Sequence, residues 1–128
     1  MRLVSTACVL ALALAACAPR REAPPPSPQD TYKQTVARDV LLHQPGAYCE
    51  PGGEMLKSVV ILEIAIAGDG ELLGVSVVRS NGYPELAQRA LDSVKAAAPF
   101  TPPGEGVQFL ESFLFRDDEC FLIRSLVH

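Results

Sequence analysis

Two β-forming segments on either side of a glycine turn are the feature that most limits how this chain can fold. Residues 57–67 (KSVVILEIAIA) and 71–79 (ELLGVSVVR) are rich in β-branched side chains and flank Gly68-Asp69-Gly70. Because Asp and Gly tolerate the positive φ angles of tight hairpin turns, the pattern predicts a β-hairpin. Apolar residues occupy both alternating faces of the first segment, so we expect part of it to be covered on both sides.

Helical and extended patterns around this hairpin predict an α+β domain. A helix is predicted from residue 31 to about residue 43, capped by Asp30 or Thr31 and ended by the Pro45 that follows. The order of elements predicts a small antiparallel sheet of three to four strands packed against two helices. The remaining predicted elements are a helix at 84–98 and strands at 107–115 and 120–126.

The N-terminus has the features of a secretory signal peptide that ends at a cysteine. Residues 1–16 contain Arg2 and then an apolar run, which is shorter than the roughly 20 residues of a membrane-spanning helix. Leu14-Ala15-Ala16-Cys17 resembles the bacterial lipobox, in which the cysteine becomes the first mature residue and carries acyl chains. An ordinary signal peptide whose cleavage site happens to precede a cysteine stays open as an alternative.

A short spacer follows the cysteine. Residues 17–30 contain three consecutive prolines and lack apolar periodicity, which is typical of an extended tether. The predicted organisation is therefore a signal peptide at 1–16, lipidated Cys17 with its tether at 17–30, and one periplasmic domain at 31–128. Enteric lipoproteins kept in the inner membrane carry Asp after the cysteine, whereas this chain has Ala18, so the resemblance implies the outer membrane.

Charge and cysteine content limit the partners and cofactors of the domain. Arg2 is the one charged residue within residues 1–16, so their removal changes the net charge from −4 to −5. This negative charge argues against nucleic acid as a partner. Of four cysteines, Cys8 lies in the signal peptide and Cys17 is predicted to be lipidated. Cys49 and Cys120 are predicted to form a disulfide in the oxidising periplasm, with two buried free thiols as the alternative.

A series of motifs runs through the predicted domain in a distinctive order. The hairpin with Asp-Gly at its turn comes first, and Ser80-Asn81-Gly82 ends its second strand. An alanine-rich helix then leads to Ala98-Pro99-Phe100, with further prolines and a last strand of alternating aromatics. Over residues 31–116, this combination resembles the C-terminal domain of TonB and its relative TolA.

The resemblance implies a protein-binding module without catalysis. TonB-like domains take a short peptide of an outer-membrane protein as an added strand at the edge of their sheet, and backbone hydrogen bonds supply the affinity. A homodimer through a sheet edge stays open as an alternative. The aromatic side chains of the strand at 107–115 are interpreted as core. By this analogy, the partner-binding edge is the strand at 107–115, formed by Val107, Gln108, Phe109, Leu110, Glu111, Ser112, Phe113, Leu114 and Phe115.

Two departures from the family pattern change the expected function. Energy-transducing TonB has an uncleaved inner-membrane helix and a long proline-rich spacer, so this chain is not expected to couple to an inner-membrane motor. The chain also continues through residues 117–128. If 120–126 pairs with 107–115, it covers the edge that the family uses, and would block or regulate peptide addition.

The sequence contains no nucleophile motif, metal-ligand set or phosphate-binding loop, so neither an enzyme nor a cofactor is predicted. His43 is interpreted as a helix-end residue, and the acids of residues 117–119 as a solvated turn. Two other functions remain as alternatives. One is a lipoprotein inhibitor of a periplasmic hydrolase, acting through the loop at 45–56, and the other is a structural accessory of an outer-membrane assembly or secretion machine.

Overall fold

A four-stranded antiparallel sheet with two helices on one face forms the described part of the chain. The computed structural model describes residues 24–127 apart from 26, 51, 53 and 54, so the predicted signal peptide, Cys17 and most of the tether lie outside the described residues. The strand order is β2-β1-β3-β4, which confirms the predicted α+β fold. The elements are α1 (Pro28–His43), β1 (Leu56–Ile66), β2 (Leu72–Ser80), α2 (Pro84–Ala97), β3 (Val107–Arg116) and β4 (Phe121–Ile123).

The predicted hairpin is formed by β1 and β2, and Gly70 is essential to its turn. Gly70 has a φ of +95°, which L side chains rarely adopt. Its carbonyl oxygen accepts the backbone N–H of Phe100 at 2.8 Å, and a Cβ built on Gly70 would collide with the Phe100 carbonyl oxygen. The turn is therefore locked to the loop that follows α2.

One face of the sheet packs against both helices and forms the core. The even-numbered residues of β1 from Val60 to Ile66 point into this core, whereas the odd-numbered residues are only partly buried. The expectation that part of β1 is covered on both sides is therefore met only by partial burial of this second face. The helices and β3 contribute Val36, Ala37, Val40, Leu86, Ala90, Val94, Ala97, Phe109, Phe113 and Phe115.

Helix α1 begins three residues before its predicted start. Ser27 is the N-cap, its hydroxyl accepts the Asp30 N–H at 3.1 Å, and the Asp30 carboxylate accepts the Ser27 N–H in return. This capping box satisfies two exposed donors of the first turn. The predicted caps, Asp30 and Thr31, therefore lie inside the helix, while the predicted end at His43 is confirmed. Within the described residues, neither helix is long and apolar enough to cross a membrane.

The motif residues between the elements position α1 and close the hairpin. The Asn81 side-chain oxygen accepts the Ser58 hydroxyl and the Val59 N–H, both at 2.8 Å, and so ties the end of β2 to the beginning of β1. The Asp39 carboxylate of α1 accepts the Thr101 N–H and hydroxyl, both at 3.1 Å. The two Asp39 bonds hold α1 against the loop that leads from α2 to β3.

Candidate functional site

The fourth strand is much shorter than predicted and covers only one end of β3. Strand β4 pairs with Phe113, Leu114 and Phe115, and residues 124–126 then form a single 3-10 turn, which we call the C-terminal turn. The prediction of a strand over the whole of 120–126 is therefore wrong. The outer edge of β3 before Phe113 faces no strand among the described residues.

Alternation along β3 shows which backbone groups lie on this edge. Arg116 donates its N–H to the Cys120 carbonyl at 3.0 Å, on the side of β4. In an antiparallel ladder, each residue directs its N–H and its C=O to the same neighbouring strand, and the next residue directs them to the opposite side. The backbone N–H and C=O groups of the even-numbered β3 residues therefore point away from β1. Gln108, Leu110 and Ser112 therefore supply the outward backbone groups of the uncovered stretch.

Side chains satisfy two of these backbone groups. The Gln29 amide of α1 donates to the Gln108 carbonyl oxygen at 3.1 Å. The Ser112 N–H donates to the Glu111 carboxylate, also at 3.1 Å. Leu110 lies between them, and its side chain is 49% exposed. The edge is thus protected at both ends by side chains, and its centre lies open.

Glu111 is the buried polar residue of this edge. It is only 4% exposed and lies on the core face of β3, beside Phe109 and Phe113. Its carboxylate also accepts the hydroxyl of Ser125 in the C-terminal turn. Burial raises the pKa of Glu111 above its ordinary value, although hydrogen bonds from the Ser125 hydroxyl, the Ser112 N–H and the Ser125 N–H, together with the nearby Lys33 ammonium, act in the opposite direction.

Two clefts flank the uncovered edge and together form a groove. A cleft of about 290 Å³ lies between α1 and the C-terminal turn, and Lys33, Glu111 and Ser125 line it. A second cleft of about 510 Å³ lies toward the start of β3, and Tyr32 and Gln108 line it. We call the two clefts together the β3 groove. Its lining comes from α1 residues between 28 and 34, from Val107, Gln108 and Glu111 of β3, and from the C-terminal turn at one end.

The outer side of β4 is fastened to the loop after α1. Tyr48 forms a parallel bridge to Phe121, and Cys49 donates its N–H to the Phe121 carbonyl at 3.0 Å. Cys49 and Cys120 are joined by a disulfide, as predicted, with their Cα atoms 5.1 Å apart. The 45–56 loop is therefore attached to the sheet at Tyr48 and Cys49.

The acidic turn between β3 and β4 has ordinary structural contacts. The Glu119 carboxylate pairs with Lys57 at 3.3 Å, and the Glu119 carbonyl accepts from Arg89 at 2.8 Å. Asp118 lies close to both cysteine sulfurs, but these sulfurs are bonded to one another. The cluster therefore offers a single carboxylate and lacks the thiolates that a transition-metal site would need.

The comparisons with known proteins agree with this architecture. The family described as "Gram-negative bacterial TonB protein C-terminal" matches residues 55–116, from the start of β1 to the end of β3. The chain contains a TonB C-terminal-like domain. The solution structure of the Helicobacter pylori TonB C-terminal domain is similar in fold, with 20% identity, a TM-score of 0.50 and coverage of 67% of this chain and 80% of that one. No curated protein shows a significant match.

TonB C-terminal domains are non-enzymatic protein-interaction modules of the Gram-negative envelope. In this TonB-like domain, the residues predicted for partner binding fall into two groups. Phe113, Leu114 and Phe115 already pair with β4, whereas residues 107–112 lie before this pairing and include Val107, Gln108 and Glu111, which line the β3 groove. The buried phenylalanines of β3 confirm the interpretation of these side chains as core.

Three residues of the groove were missed in the sequence. Gln29 lies 79 residues before its partner Gln108, and Lys33 lies 78 residues before Glu111. Local sequence patterns do not indicate contacts between residues so far apart in the chain. Ser125 could have been placed opposite Glu111 by extending the register of a hairpin around residues 117–118. His43 lies at the end of α1, as predicted, with its Nδ1 2.8 Å from the Asp39 carbonyl oxygen.

Proposed function

We propose that this protein is a lipid-anchored, periplasm-facing binding module that takes an extended segment of an envelope protein as an extra strand at the β3 groove. It would act as an accessory of an envelope complex without transducing energy itself. The observation that carries this proposal is the outer edge of β3 at residues 107–112, which β4 leaves uncovered beside a groove. Backbone hydrogen bonds from Leu110 would supply the central contact of the added strand.

The anchoring part of the proposal rests on the N-terminal sequence. The Leu14-Ala15-Ala16-Cys17 motif supports cleavage after residue 16 and acylation of Cys17, and Ala18 supports the outer membrane. The tether would then place the domain near the periplasmic surface of that membrane. Since α1 begins at Pro28, the folded part starts slightly before the predicted boundary at residue 31.

The opposite edge of the sheet is a poorer site for strand addition. The register of β2 with β1 shifts between Ile61 and Leu62 and again between Ala65 and Ile66. Such bulges twist an edge and interrupt its row of hydrogen-bonding groups, which natural sheets use to prevent pairing. The uncovered part of β3 lies on a strand that pairs with β1 without a shift from Val59 to Ile66.

Photo-crosslinking in the native envelope tests strand addition. A photoreactive amino acid in place of the exposed Gln108 is combined with Leu110→Pro, which removes the outward N–H, or with Leu110→Ala, which keeps it. Proline is tolerated on a strand edge where its N–H is not needed for pairing. We expect one defined crosslinked protein with Leu110→Ala and its loss with Leu110→Pro.

Amide spectra of each variant establish that the fold is retained. Equal capture by the two Leu110 variants would contradict backbone-mediated binding at this edge. A photoreactive residue at Ser76, which is exposed on β2, serves as the positional control. A crosslink that depends on Ser76 and not on Gln108 would move the interaction to the other edge of the sheet.

A further inference from the structure

The residues after β4 keep its register with β3 for one more side chain. Phe121 lies opposite Phe115, and Ile123 lies opposite Phe113. Continuing this antiparallel register by two residues on each strand places Ser125 opposite Glu111, and the Ser125 hydroxyl does bond to the Glu111 carboxylate. Ser125 therefore occupies the position that a side chain of an added strand would take.

The backbone of this segment, in contrast, leaves the sheet. In a continued ladder, the Ser112 N–H would donate to the carbonyl of Arg124. The Arg124 carbonyl instead accepts the Val127 N–H at 3.1 Å within the C-terminal turn. The Ser112 N–H donates to the Glu111 carboxylate at 3.1 Å. The Glu111 carboxylate thus takes the place of the missing strand as acceptor for the Ser112 N–H. It also holds the C-terminal turn by accepting the Ser125 hydroxyl.

Because Glu111 is buried, the side chain opposite it has to supply a hydrogen-bond donor. A carboxylate at 4% exposure has almost no access to water, and an apolar side chain in place of Ser125 would remove the hydroxyl donor and leave only backbone N–H groups to satisfy the carboxylate. The cleft beside it is also lined by Lys33, Arg124 and Asp30. An incoming ammonium group would meet the two cations, whereas a hydroxyl supplies a donor without added charge.

We propose that Glu111 selects partner strands that carry a serine or threonine directly opposite it, and that Ser125 holds this position until such a strand displaces the C-terminal turn. This inference rests on the proposed function, because it presupposes strand addition at the β3 groove. It defines the partner as an extended segment, antiparallel to β3, with a hydroxyl facing Glu111 and an apolar side chain two residues later facing Phe109.

Peptide titration of the isotope-labelled chain tests this selection. The probes are two capped heptapeptides, Ala-Val-Ser-Val-Leu-Val-Ala and Ala-Val-Ala-Val-Leu-Val-Ala, which differ only at the position facing Glu111. We expect amide shifts at Gln108, Leu110 and Ser112, and about tenfold tighter binding of the serine peptide. In Glu111→Leu, the preference for serine should disappear, because the buried acceptor is gone.

A second variant tests the role of the C-terminal turn. Ser125→Ala removes the hydroxyl that holds the turn, so both peptides should bind more tightly than to the unaltered chain. Ser76→Ala, at an exposed position of β2, is the matched control and should leave both affinities unchanged.

The outcomes separate the two proposals. Shifts at Gln108–Ser112 with equal affinities for the two peptides would overturn selection by Glu111 and leave strand addition standing. Absence of shifts at this edge in both the unaltered chain and Ser125→Ala would overturn both proposals.

Discussion

Glu111 shows how a charged residue can occupy a core position at the edge of a sheet. Strand alternation places it on the same face as Phe109 and Phe113, where an ionised side chain would normally be costly. Its carboxylate is retained there because Ser112 and Ser125 both donate to it. A residue that breaks the apolar pattern of a strand is thus satisfied by a neighbouring backbone group and by a distant turn.

The raised pKa of Glu111 predicts a pH dependence of stability. Because burial favours the protonated form in the folded state, this residue contributes stability that decreases as pH rises from the ordinary pKa of 4.5 through the raised folded pKa. Glu111→Gln lacks this titration, so its free energy of unfolding, minus that of the unaltered chain, should increase with pH across that window.

Denaturant unfolding at several pH values measures this difference. Asp30, Lys33 and Arg124, which line the same cleft, are present in both proteins. Glu105→Gln, at an exposed position, is the control and should show a smaller slope. A difference for Glu111→Gln that stays constant with pH would contradict the assignment.

Gly70 gives a second prediction for a single residue. Gly70→Ala should lower the free energy of unfolding by about 2 kcal/mol or more, because alanine is strained at positive φ and its Cβ would collide with the Phe100 carbonyl. Gly74→Ala is the matched control, since a Cβ at that exposed position meets no atom within 4 Å. Thermal unfolding of both variants measures the effect, and similar losses would contradict the proposed role of Gly70.

Among the elements, β4 depends most on contacts distant in sequence. It contains three residues and pairs with one end of β3. So few pairing residues give a strand little stability by themselves. Its other side is bonded to Cys49, and the disulfide closes a separation of 71 residues. The cross-link limits the separation of these segments when the chain unfolds, which is the usual source of disulfide stabilisation.

Removal of the disulfide should therefore act first on β4. Replacing Cys49 and Cys120 with serine should cost about 2–4 kcal/mol of stability and increase amide exchange in residues 121–123 more than in β1. Hydrogen exchange of the oxidised chain and of the variant measures this. Equal acceleration across the whole sheet would show that β4 is not a separate unit of local stability.

At the scale of the whole molecule, the N-terminal sequence and the folded domain serve different parts of the proposed function. The domain presents a groove for an envelope partner, and the N-terminal sequence would keep that groove near a membrane. The net charge of −5 after removal of residues 1–16 makes attraction to an anionic lipid surface weak, so retention would depend on the acyl chains.

Substitution of Cys17 tests the anchor. Cys17→Ala should abolish incorporation of labelled palmitate and block maturation at residue 16, so the chain should keep its signal peptide. Ala18→Ser, next to the same site, should be processed and labelled normally. Palmitate labelling, gel mobility and membrane fractionation measure these effects, and a mature unlabelled product from Cys17→Ala would indicate an ordinary signal peptidase site.

The predictable parts of the fold are those that depend on local pattern. The hairpin, the helix at 84–97 and the strand at 107–116 follow from side-chain periodicity and turn residues, and each was predicted within about one residue of its observed bounds. The first helix begins earlier than predicted, at the capping box of Ser27 and Asp30. The prediction missed this start because the residues beside the capping box show no apolar periodicity. The last strand is shorter than predicted, because the Arg124 carbonyl accepts the Val127 N–H within the C-terminal turn and does not pair with β3.

The sequence by itself determined the fold class, the pairing of Cys49 with Cys120 and the faces of the β3 residues, because these depend on alternation, composition and a small number of cysteines. Only the tertiary structure decided how much of the β3 edge stays uncovered. That outcome depends on contacts of Gln29 and Ser125 with β3, between segments far apart in the chain. Strand periodicity shows which face a side chain occupies, but which neighbour satisfies each edge group depends on the packing of the whole domain.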